Sequence, residues 1–188
     1  GISEVLDALI AWLPRNDIGH DEEDVPRIAI VGRPNVGKSA LANAVLGEDR
    51  SIVSEVPGTT RDALDTEFDF DGQRALLIDT AGVRRRGAVQ PGIEKYSVLR
   101  AAAAIHRADV ALLVMDASKP ATDQDLHIAG QITEAFKSVV VVLNKWDLIA
   151  TDDARREERR FTYMVRSRMR FIPDVPVVFT SAVEGRGI

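Results

Sequence analysis

The chain has 188 residues, of which 45% are hydrophobic and 28% charged, a composition that suits one compact domain with a short appendage. Its formal net charge of −5 argues against a protein that binds nucleic acid over its whole surface, since such proteins are basic. Apolar runs such as Val139–Leu143 fall far short of the ~20 residues of a membrane span, no secretory leader is visible, and the absence of cysteine excludes disulfides and thiolate metal sites. Together these features predict a cytoplasmic protein.

Two short segments precede the main domain. Apolar residues recur at helical spacing over residues 3–13, Ser3 can cap the helix and Pro14 ends the pattern, so residues 1–14 are expected to form a helix. We expect this helix to cover exposed apolar surface, either a flank of the domain or a neighbouring molecule. Residues 15–26 are polar and acidic, which is typical of a linker, and the main domain is expected over residues 27–188.

The main domain alternates strands with helices. Short apolar runs predict most of the strands, and a period-two alternation over residues 64–70 predicts a further one, which a tight turn at Asp71-Gly72 joins to the next. Buried strands separated by helices imply an α/β fold of three layers, α/β/α, whose six-stranded sheet is mostly parallel with one antiparallel edge strand. The apolar runs are Ile28–Val31, Ala75–Ile78, Val110–Met115, Val139–Leu143 and Val177–Phe179, and the predicted helices are Ser39–Leu46, Ile93–Ala108, Thr122–Phe136 and Ala154–Arg170.

A phosphate-binding loop follows the first predicted strand. Its glycines allow backbone N–H groups to surround phosphate oxygens, and the helix that follows adds the positive end of its dipole. Lys38 can reach the β- and γ-phosphates, and the Ser39 hydroxyl can ligate Mg²⁺. The predicted phosphate-binding residues are Gly32, Arg33, Pro34, Asn35, Val36, Gly37, Lys38, Ser39 and Ala40.

Two further segments supply candidate Mg²⁺ ligands. Asp79 ends a predicted strand, where phosphate-loop enzymes hold Mg²⁺ directly or through water. Within the string Pro57–Asp62, a threonine can complete the Mg²⁺ shell when a γ-phosphate is present; we choose Thr60, with Thr59 as the alternative. Gly82 has no side chain and could bring its amide close to the γ-phosphate. The residues after Asp79 that are expected to line the nucleotide are Thr80, Ala81, Gly82 and Val83.

A guanine-reading segment follows the strand predicted before residue 144. The carboxylate of Asp147 can accept hydrogen bonds from N1–H and the 2-amino group of guanine, and adenine offers neither donor, so the pattern predicts selectivity for guanine. Lys145 can lay its aliphatic stem on the base, Asn144 can brace the loop, and a backbone amide of Ser181-Ala182 can reach the guanine O6. Trp146 belongs to the same segment, although packing is the preferred interpretation of its side chain. The predicted guanine-binding residues are Asn144, Lys145, Trp146, Asp147, Ser181 and Ala182.

The order of these motifs resembles the Era-like group of GTPases, and longer strings resemble the Der (EngA) family. The strings are Ile30–Ser39, Pro57–Asp62 and Asp79–Gly87, and Ile93–Arg100 is similar to the second GTPase domain of that family. The resemblance covers residues 27–188. It implies a P-loop GTPase fold, GTP and GDP as ligands with Mg²⁺, hydrolysis of GTP, and a switch function in assembly of the large ribosomal subunit.

The resemblance also implies a domain organisation, since the family has two consecutive GTPase domains and a terminal K-homology-like domain. Residues 1–14 then correspond to the tail of the first GTPase domain, residues 15–26 to the interdomain linker, and residues 27–188 to a second GTPase domain without its final helix. The implied partners are guanine nucleotide, the large ribosomal subunit with its RNA, and the missing first and terminal domains.

Two residues bear on the catalytic mechanism that the resemblance implies. Val83 stands where Ras-like enzymes carry a glutamine that orients the attacking water. Asn35 matches an asparagine that, in related potassium-activated GTPases, helps to hold K⁺ beside the phosphates, where the cation neutralises transition-state charge. We therefore expect slow intrinsic hydrolysis that is faster in K⁺ than in Na⁺. Catalytic roles are expected for Lys38, Thr60 and Gly82.

Three alternatives remain beside this interpretation. One is a nucleotide-gated binding module with nearly idle hydrolysis. Another is a tRNA-modification GTPase domain, which shares the phosphate loop but is opposed by the stretch Arg84–Glu94, and a third is ATP hydrolysis, which Asp147 opposes. Arg84–Arg86 either contact ribosomal RNA or a missing domain or lie in solvent, and the arginines between residues 155 and 170 are interpreted as a solvated helix face paired with neighbouring acids.

Overall fold

Six strands form one sheet in the computed structural model, which describes residues 25–47, 65–70, 73–80, 93–149 and 152–187. The strands are β1 (Arg27–Val31), β2 (Thr66–Phe70), β3 (Gln73–Ile78), β4 (Val110–Asp116), β5 (Ser138–Asn144) and β6 (Val177–Phe179). The α-helices are α1 (Lys38–Val45), α2 (Ile93–Arg107), α3 (Asp123–Glu134) and α4 (Ala154–Arg168), and Trp146–Leu148 form a 3₁₀ turn.

The order of strands across the sheet is β2-β3-β1-β4-β5-β6. Every pairing is parallel except that of β2 with β3, which is antiparallel and places β2 at one edge. This arrangement confirms the predicted α/β fold with one antiparallel edge strand. The predicted turn at Asp71-Gly72, the predicted helix of residues 1–14 and residues 15–24 of the predicted linker lie outside the described residues.

Alternating side chains of the strands divide the core into two layers. On β4, Leu113 and Met115 point to one face of the sheet and Val114 points to the other, since successive strand residues face opposite sides. Helices α2, α3 and α4 cover the first face, and α1 covers the second through Leu41 and Ala42. Helices on both faces explain why the inner strands are nearly continuous apolar runs.

Each of the four predicted helices differs from the observed one by one or two residues at one or both ends, and two of these differences have identifiable reasons. Thr122, predicted as helical, is the N-cap of α3, because its hydroxyl accepts from the Asp125 amide at 3.4 Å. Helix α4 ends at Arg168 instead of Arg170. Met169 is fully buried and its amide donates to the Val165 carbonyl, so the chain turns into the core there.

The carboxyl ends of the parallel strands meet at one edge of the sheet. Gly32, Asp79 and Asn144 lie at the ends of β1, β3 and β5, respectively. In sheets of this kind, ligands bind in the crevice beyond these strand ends. The fold therefore brings the separate predicted motifs to the same edge.

Candidate nucleotide-binding site

The loop between β1 and α1 has a backbone that only certain residues can adopt. Gly32 has a φ of 149° and Gly37 a φ of 96°, both in the region that favours glycine. A Cβ at Gly32 would also collide with the Val114 carbonyl of β4, and a Cβ at Gly37 with the Asn144 amide. The loop is therefore wrapped closely against two neighbouring strands, while Asn35 is exposed with a φ of 65°.

Lys38 is held inside the curve of this loop. Its Nζ donates hydrogen bonds to the carbonyls of Gly32 and Arg33, each at 2.8 Å. Burial lowers the pKa of Lys38 to about 8. An anion beside the ammonium group would favour its charged form, so the position suits a phosphate ligand.

Arg33 fastens the loop to the segment before α3. Its Nη2 donates to the Lys119 carbonyl at 2.8 Å, and its Nε lies 3.3 Å from Oδ1 of Asp125, whose side chain is fully buried. The other carboxylate oxygen of Asp125 accepts from the amide and the hydroxyl of Thr122, at 2.9 and 2.8 Å. Asp125 was not among the predicted residues, although the spacing Thr-x-x-Asp before an apolar helix is the signal of a capping box.

Asp79 lies at the end of β3, as predicted, and carries partners from two other elements. Its amide donates to Oδ1 of Asp65 at 2.9 Å, and its own Oδ1 accepts from Nη2 of Arg100 on α2 at 2.9 Å. The hydroxyls of Thr66 and Thr80 are 3.0 Å apart beside it. Neither Asp65 nor Arg100 was predicted, because nothing local in the sequence marks residues so distant along the chain as neighbours of Asp79.

Asn144 joins the phosphate loop to the loop after β6. Its side chain is buried, and its Nδ2 donates to the Val36 carbonyl at 3.0 Å. Its Oδ1 accepts from the Thr180 hydroxyl and the Ala182 amide, both at 3.2 Å. The side chain thus connects the loop after β1 with the loop after β6, which supports the bracing role expected for Asn144.

Lys145 and Asp147 each have a polar partner from another loop. Nζ of Lys145 lies 2.6 Å from Oδ2 of Asp116, at the end of β4, and Oδ1 of Asp147 accepts from the Ser181 hydroxyl at 2.6 Å. Burial acts to raise the pKa of Asp116, but hydrogen bonds from Lys145 and Ser118 outweigh it and hold that pKa below its usual value. Asp116 was not among the predicted residues.

Trp146 belongs to the core, as the packing interpretation expected. Only 3% of it is exposed, and its ring packs edge-on against Phe161, with centroids 5.1 Å apart, and against Phe179 at 4.5 Å. Its side chain is unavailable to a ligand at the surface, and the same holds for buried Val36. These two members of the predicted binding set can contribute only backbone groups.

The remaining predicted site residues lie outside the described residues. They are Thr59, Thr60, Ala81, Gly82 and Val83, together with the basic string Arg84–Arg86. Their roles therefore stay predictions.

Within the described ranges, no group of three or more His, Asp or Glu side chains forms a metal site. An Mg²⁺ ion held by one hydroxyl, one carboxylate and nucleotide oxygens needs no such cluster. Ser39 on α1 and Asp79 at the end of β3 are the hydroxyl and the carboxylate predicted as such ligands, and this role stays a prediction. None of the helices in the described ranges combines the length and hydropathy of a membrane span.

Residues 27–145 match the family model described as a 50S ribosome-binding GTPase. Among curated proteins, the chain is 53% identical to the GTPase Der of Heliobacterium modesticaldum over 180 residues, covering 96% of this chain and 40% of that protein. It is 51% identical to the GTPase Der of Thermomicrobium roseum, covering 100% of this chain and 41% of that protein. The chain therefore spans about two fifths of the length of these relatives.

Solved structures show the same fold. Era in complex with MgGDPNP and nucleotides of 16S ribosomal RNA matches with a TM-score of 0.64 at 28% identity, over 87% of this chain and 53% of Era. Aquifex aeolicus Era with the Y63A substitution, bound to GDP and AlF4⁻, matches with a TM-score of 0.63 at 29% identity, over 86% of this chain and 52% of that one. The G domain of the T. maritima FeoB iron transporter matches with a TM-score of 0.53 at 26% identity, over 87% and 91%.

Proposed function

Because the chain belongs to the Der family of 50S ribosome-binding GTPases, we propose that it binds GTP, hydrolyses it to GDP and phosphate, and acts as a switch in assembly of the large ribosomal subunit. The observation that carries the proposal is the buried Asn144 side chain, which joins the phosphate loop to the loops expected to hold the base. A single rigid unit for phosphate and base is what recognition of a whole nucleotide requires. The domain is proposed to be the second of two GTPase domains, and its cytoplasmic setting stays a prediction.

Guanine selectivity is proposed to rest on Asp147. Its carboxylate is exposed at the strand-end edge and is oriented by the Ser181 hydroxyl, so one oxygen is positioned and the other is available to the base. Lys145 is directed along the same edge by its ion pair with Asp116. A base that lacks the N1–H and 2-amino donors would offer no hydrogen bond to the Asp147 carboxylate. Such a nucleotide would therefore bind with lower affinity.

For phosphate chemistry, the proposed roles follow from the positions of the chain's own groups. The Lys38 ammonium would turn from the carbonyls of Gly32 and Arg33 to the β- and γ-phosphates, and loop amides would hold the remaining oxygens. The Ser39 hydroxyl and the Asp79 carboxylate would hold Mg²⁺, with Thr60, or alternatively Thr59, as a further ligand. Mg²⁺, and K⁺ held beside Asn35, would neutralise charge that develops on the phosphates. Gly82 would donate its amide to the γ-phosphate.

One experiment tests the proposal with the whole chain. Phosphate release is measured with GTP and with ATP, each in K⁺ and in Na⁺ salts, with and without large ribosomal subunits. We expect release from GTP only, faster in K⁺, with the potassium effect lost in Asn35→Ala. Equal rates for GTP and ATP would contradict the guanine assignment, and equal rates in the two salts would contradict the potassium site. Tight GDP binding with hydrolysis that stays negligible even on subunits would indicate a nucleotide-gated binding module instead.

A further inference from the structure

A groove of about 880 Å³ lies along one side of α4 and reaches Phe179 at the end of β6. Four arginines line it, at positions 155, 159, 166 and 170, together with Tyr163 and with Phe179 of β6. The arginines are exposed, and Tyr163 is 77% exposed. Glu158 is the acidic residue of the lining and lies 3.9 Å from Arg186. The groove therefore concentrates positive charge in a chain whose formal net charge is −5.

The structure divides the arginines of this helix into those that are paired and those that are not. Outside the groove, Arg160 lies 3.2 Å from Glu157 and Arg168 lies 2.8 Å from Asp123, whereas Arg156 forms no ion pair with a carboxylate of the described residues. Inside it, neither Arg155 nor Arg159 forms an ion pair with any carboxylate of the described residues. The sequence predicted that the arginines of this helix are paired with neighbouring acids on a solvated face. The structure shows such pairing for only some of them.

The other two groove arginines are oriented by backbone carbonyls. Nε of Arg166 donates to the Val175 carbonyl at 3.1 Å, and its Nη1 lies 3.8 Å from Asp174, a carboxylate that is 93% exposed. Nε of Arg170 donates to the Ser167 carbonyl at 3.1 Å. A bond to a backbone carbonyl fixes a guanidinium group and leaves its charge in place, so these side chains are held ready for an anion.

The spacing of these groups suits a nucleic acid strand. Arg155 and Arg166 are separated by about 16 Å at the rise of an α-helix, a distance over which one nucleic acid strand presents several phosphates. Tyr163 lies between them in sequence and presents a ring to solvent. Exposed aromatic rings among arginines are the elements with which proteins stack the bases of single-stranded RNA.

We propose that this arginine groove binds a single-stranded or loop segment of RNA, with phosphates on the arginines and a base stacked on Tyr163. An acidic protein segment would also match the arginines, and RNA is favoured because an exposed ring beside arginines can stack a base. The inference deepens the proposed action on the ribosomal subunit and rests on it for the source of the RNA. None of the residues that line the groove is among those assigned to the nucleotide.

The test measures fluorescence anisotropy of labelled oligouridine with the whole chain, over a range of salt concentrations. We expect the double variant Arg155→Ala with Arg159→Ala to lose about tenfold or more in affinity. The slope of log affinity against log salt should fall by about 1.4, since each phosphate contact to a single strand contributes about 0.7. The control is Arg156→Ala with Arg168→Ala, which removes two positive charges from the same helix outside the groove and should stay within twofold of the parent.

Tyr163 tests the stacking element separately. Tyr163→Ala should weaken binding about tenfold, whereas Tyr163→Phe should retain it, because stacking needs the ring and not the hydroxyl. An equal loss in the control double variant, or no measurable RNA binding, would overturn the proposal. Labelled polyglutamate bound with the same dependence on the groove variants would assign the surface to an acidic protein segment and also overturn it. Binding of a fluorescent GDP is measured in parallel. Its failure would count against the proposed GTPase function, whereas the groove is judged on the RNA data.

Discussion

Arg33 of the phosphate loop faces the fully buried carboxylate of Asp125 at the start of α3, with Nε and Oδ1 3.3 Å apart. Among the described residues, neither of these two atoms has a hydrogen-bond partner, so charge, and not a directed bond, holds them together. Because Arg33 also donates to the Lys119 carbonyl, the phosphate loop is attached to the β4–α3 segment at two points. The position of a ligand-binding loop thus depends on a carboxylate in the core.

Removal of the Asp125 charge should both destabilise the domain and weaken nucleotide binding. In Asp125→Asn the Arg33 guanidinium loses its counter-charge, so we expect the free energy of unfolding to fall by about 3 kcal/mol in urea titrations. The affinity for GDP should fall severalfold because the loop loses an attachment. Asp123, on the same helix as Asp125, forms an exposed ion pair with Arg168 of α4. Asp123→Asn should therefore lower the free energy of unfolding by less than about 1 kcal/mol. Equal effects of the two variants would contradict this role.

Asn144 is expected to be the most sensitive side chain of the site. Asn144→Ala leaves the Val36 carbonyl, the Thr180 hydroxyl and the Ala182 amide without their buried partner. We expect a loss of about 3 kcal/mol in unfolding free energy, since each buried unsatisfied group costs about 1–3 kcal/mol. GDP affinity, measured by calorimetry, should fall at least tenfold. Asn43→Ala, at an exposed position on α1, serves as the control; similar losses there would show that Asn144 has no special role.

The Lys145–Asp116 pair should matter for affinity more than for stability. Lys145 is one third exposed, so Asp116→Asn should change the unfolding free energy by less than about 1 kcal/mol. GDP affinity should fall about fivefold, because the lysine stem is no longer directed along the base. In a Lys145→Ala background, Asp116→Asn should have no further effect on GDP affinity. Additive losses in this double-mutant cycle would show that Asp116 acts by another route.

Arg100 should compete with Mg²⁺ for Asp79. Nη2 of Arg100 lies 2.9 Å from Oδ1 of Asp79. A cation that binds this carboxylate directly must therefore displace the guanidinium group or share the carboxylate with it. Arg100→Ala should therefore raise the affinity of the GDP-bound chain for Mg²⁺ severalfold, as measured by Mn²⁺ competition. Arg156→Ala, on the surface of α4, provides the comparison. Unchanged or weaker Mg²⁺ binding in Arg100→Ala would mean that Arg100 supports the site instead of opposing it.

Nucleotide affinity should depend on pH through Lys38. Burial depresses its pKa to about 8 in the free chain, and bound phosphates favour the protonated form, so binding is accompanied by proton uptake once the pH exceeds that value. We expect the Kd for GDP to be flat below about pH 7 and to rise above about pH 8, by at most tenfold per unit. Lys38→Met should bind weakly, without this rise. A wild-type Kd that is independent of pH up to about 9 would contradict the assignment.

The sequence by itself determined the motifs and the class of fold. The phosphate loop, the guanine-reading segment and the buried strands are contiguous strings, and their chemistry depends on spacing and periodicity within a few residues. The strand bounds of β6 agree with the prediction, and those of β4 differ by one residue. Such features are visible without coordinates because neighbouring residues in a strand or a tight loop constrain one another directly.

Only the tertiary structure decided which distant side chains hold these motifs in place. Asn144 and Val36 are 108 residues apart in the chain, and Lys145 and Asp116 are 29 apart, yet parallel pairing of the strands brings their ends together. Likewise, the sequence does not distinguish neighbouring arginines of α4. Only the structure shows that Arg160 is paired with Glu157, whereas Arg159 lines the groove without an ion pair to any of the described residues. Pairing across a sheet depends on where whole elements pack, and that information is spread over the entire core.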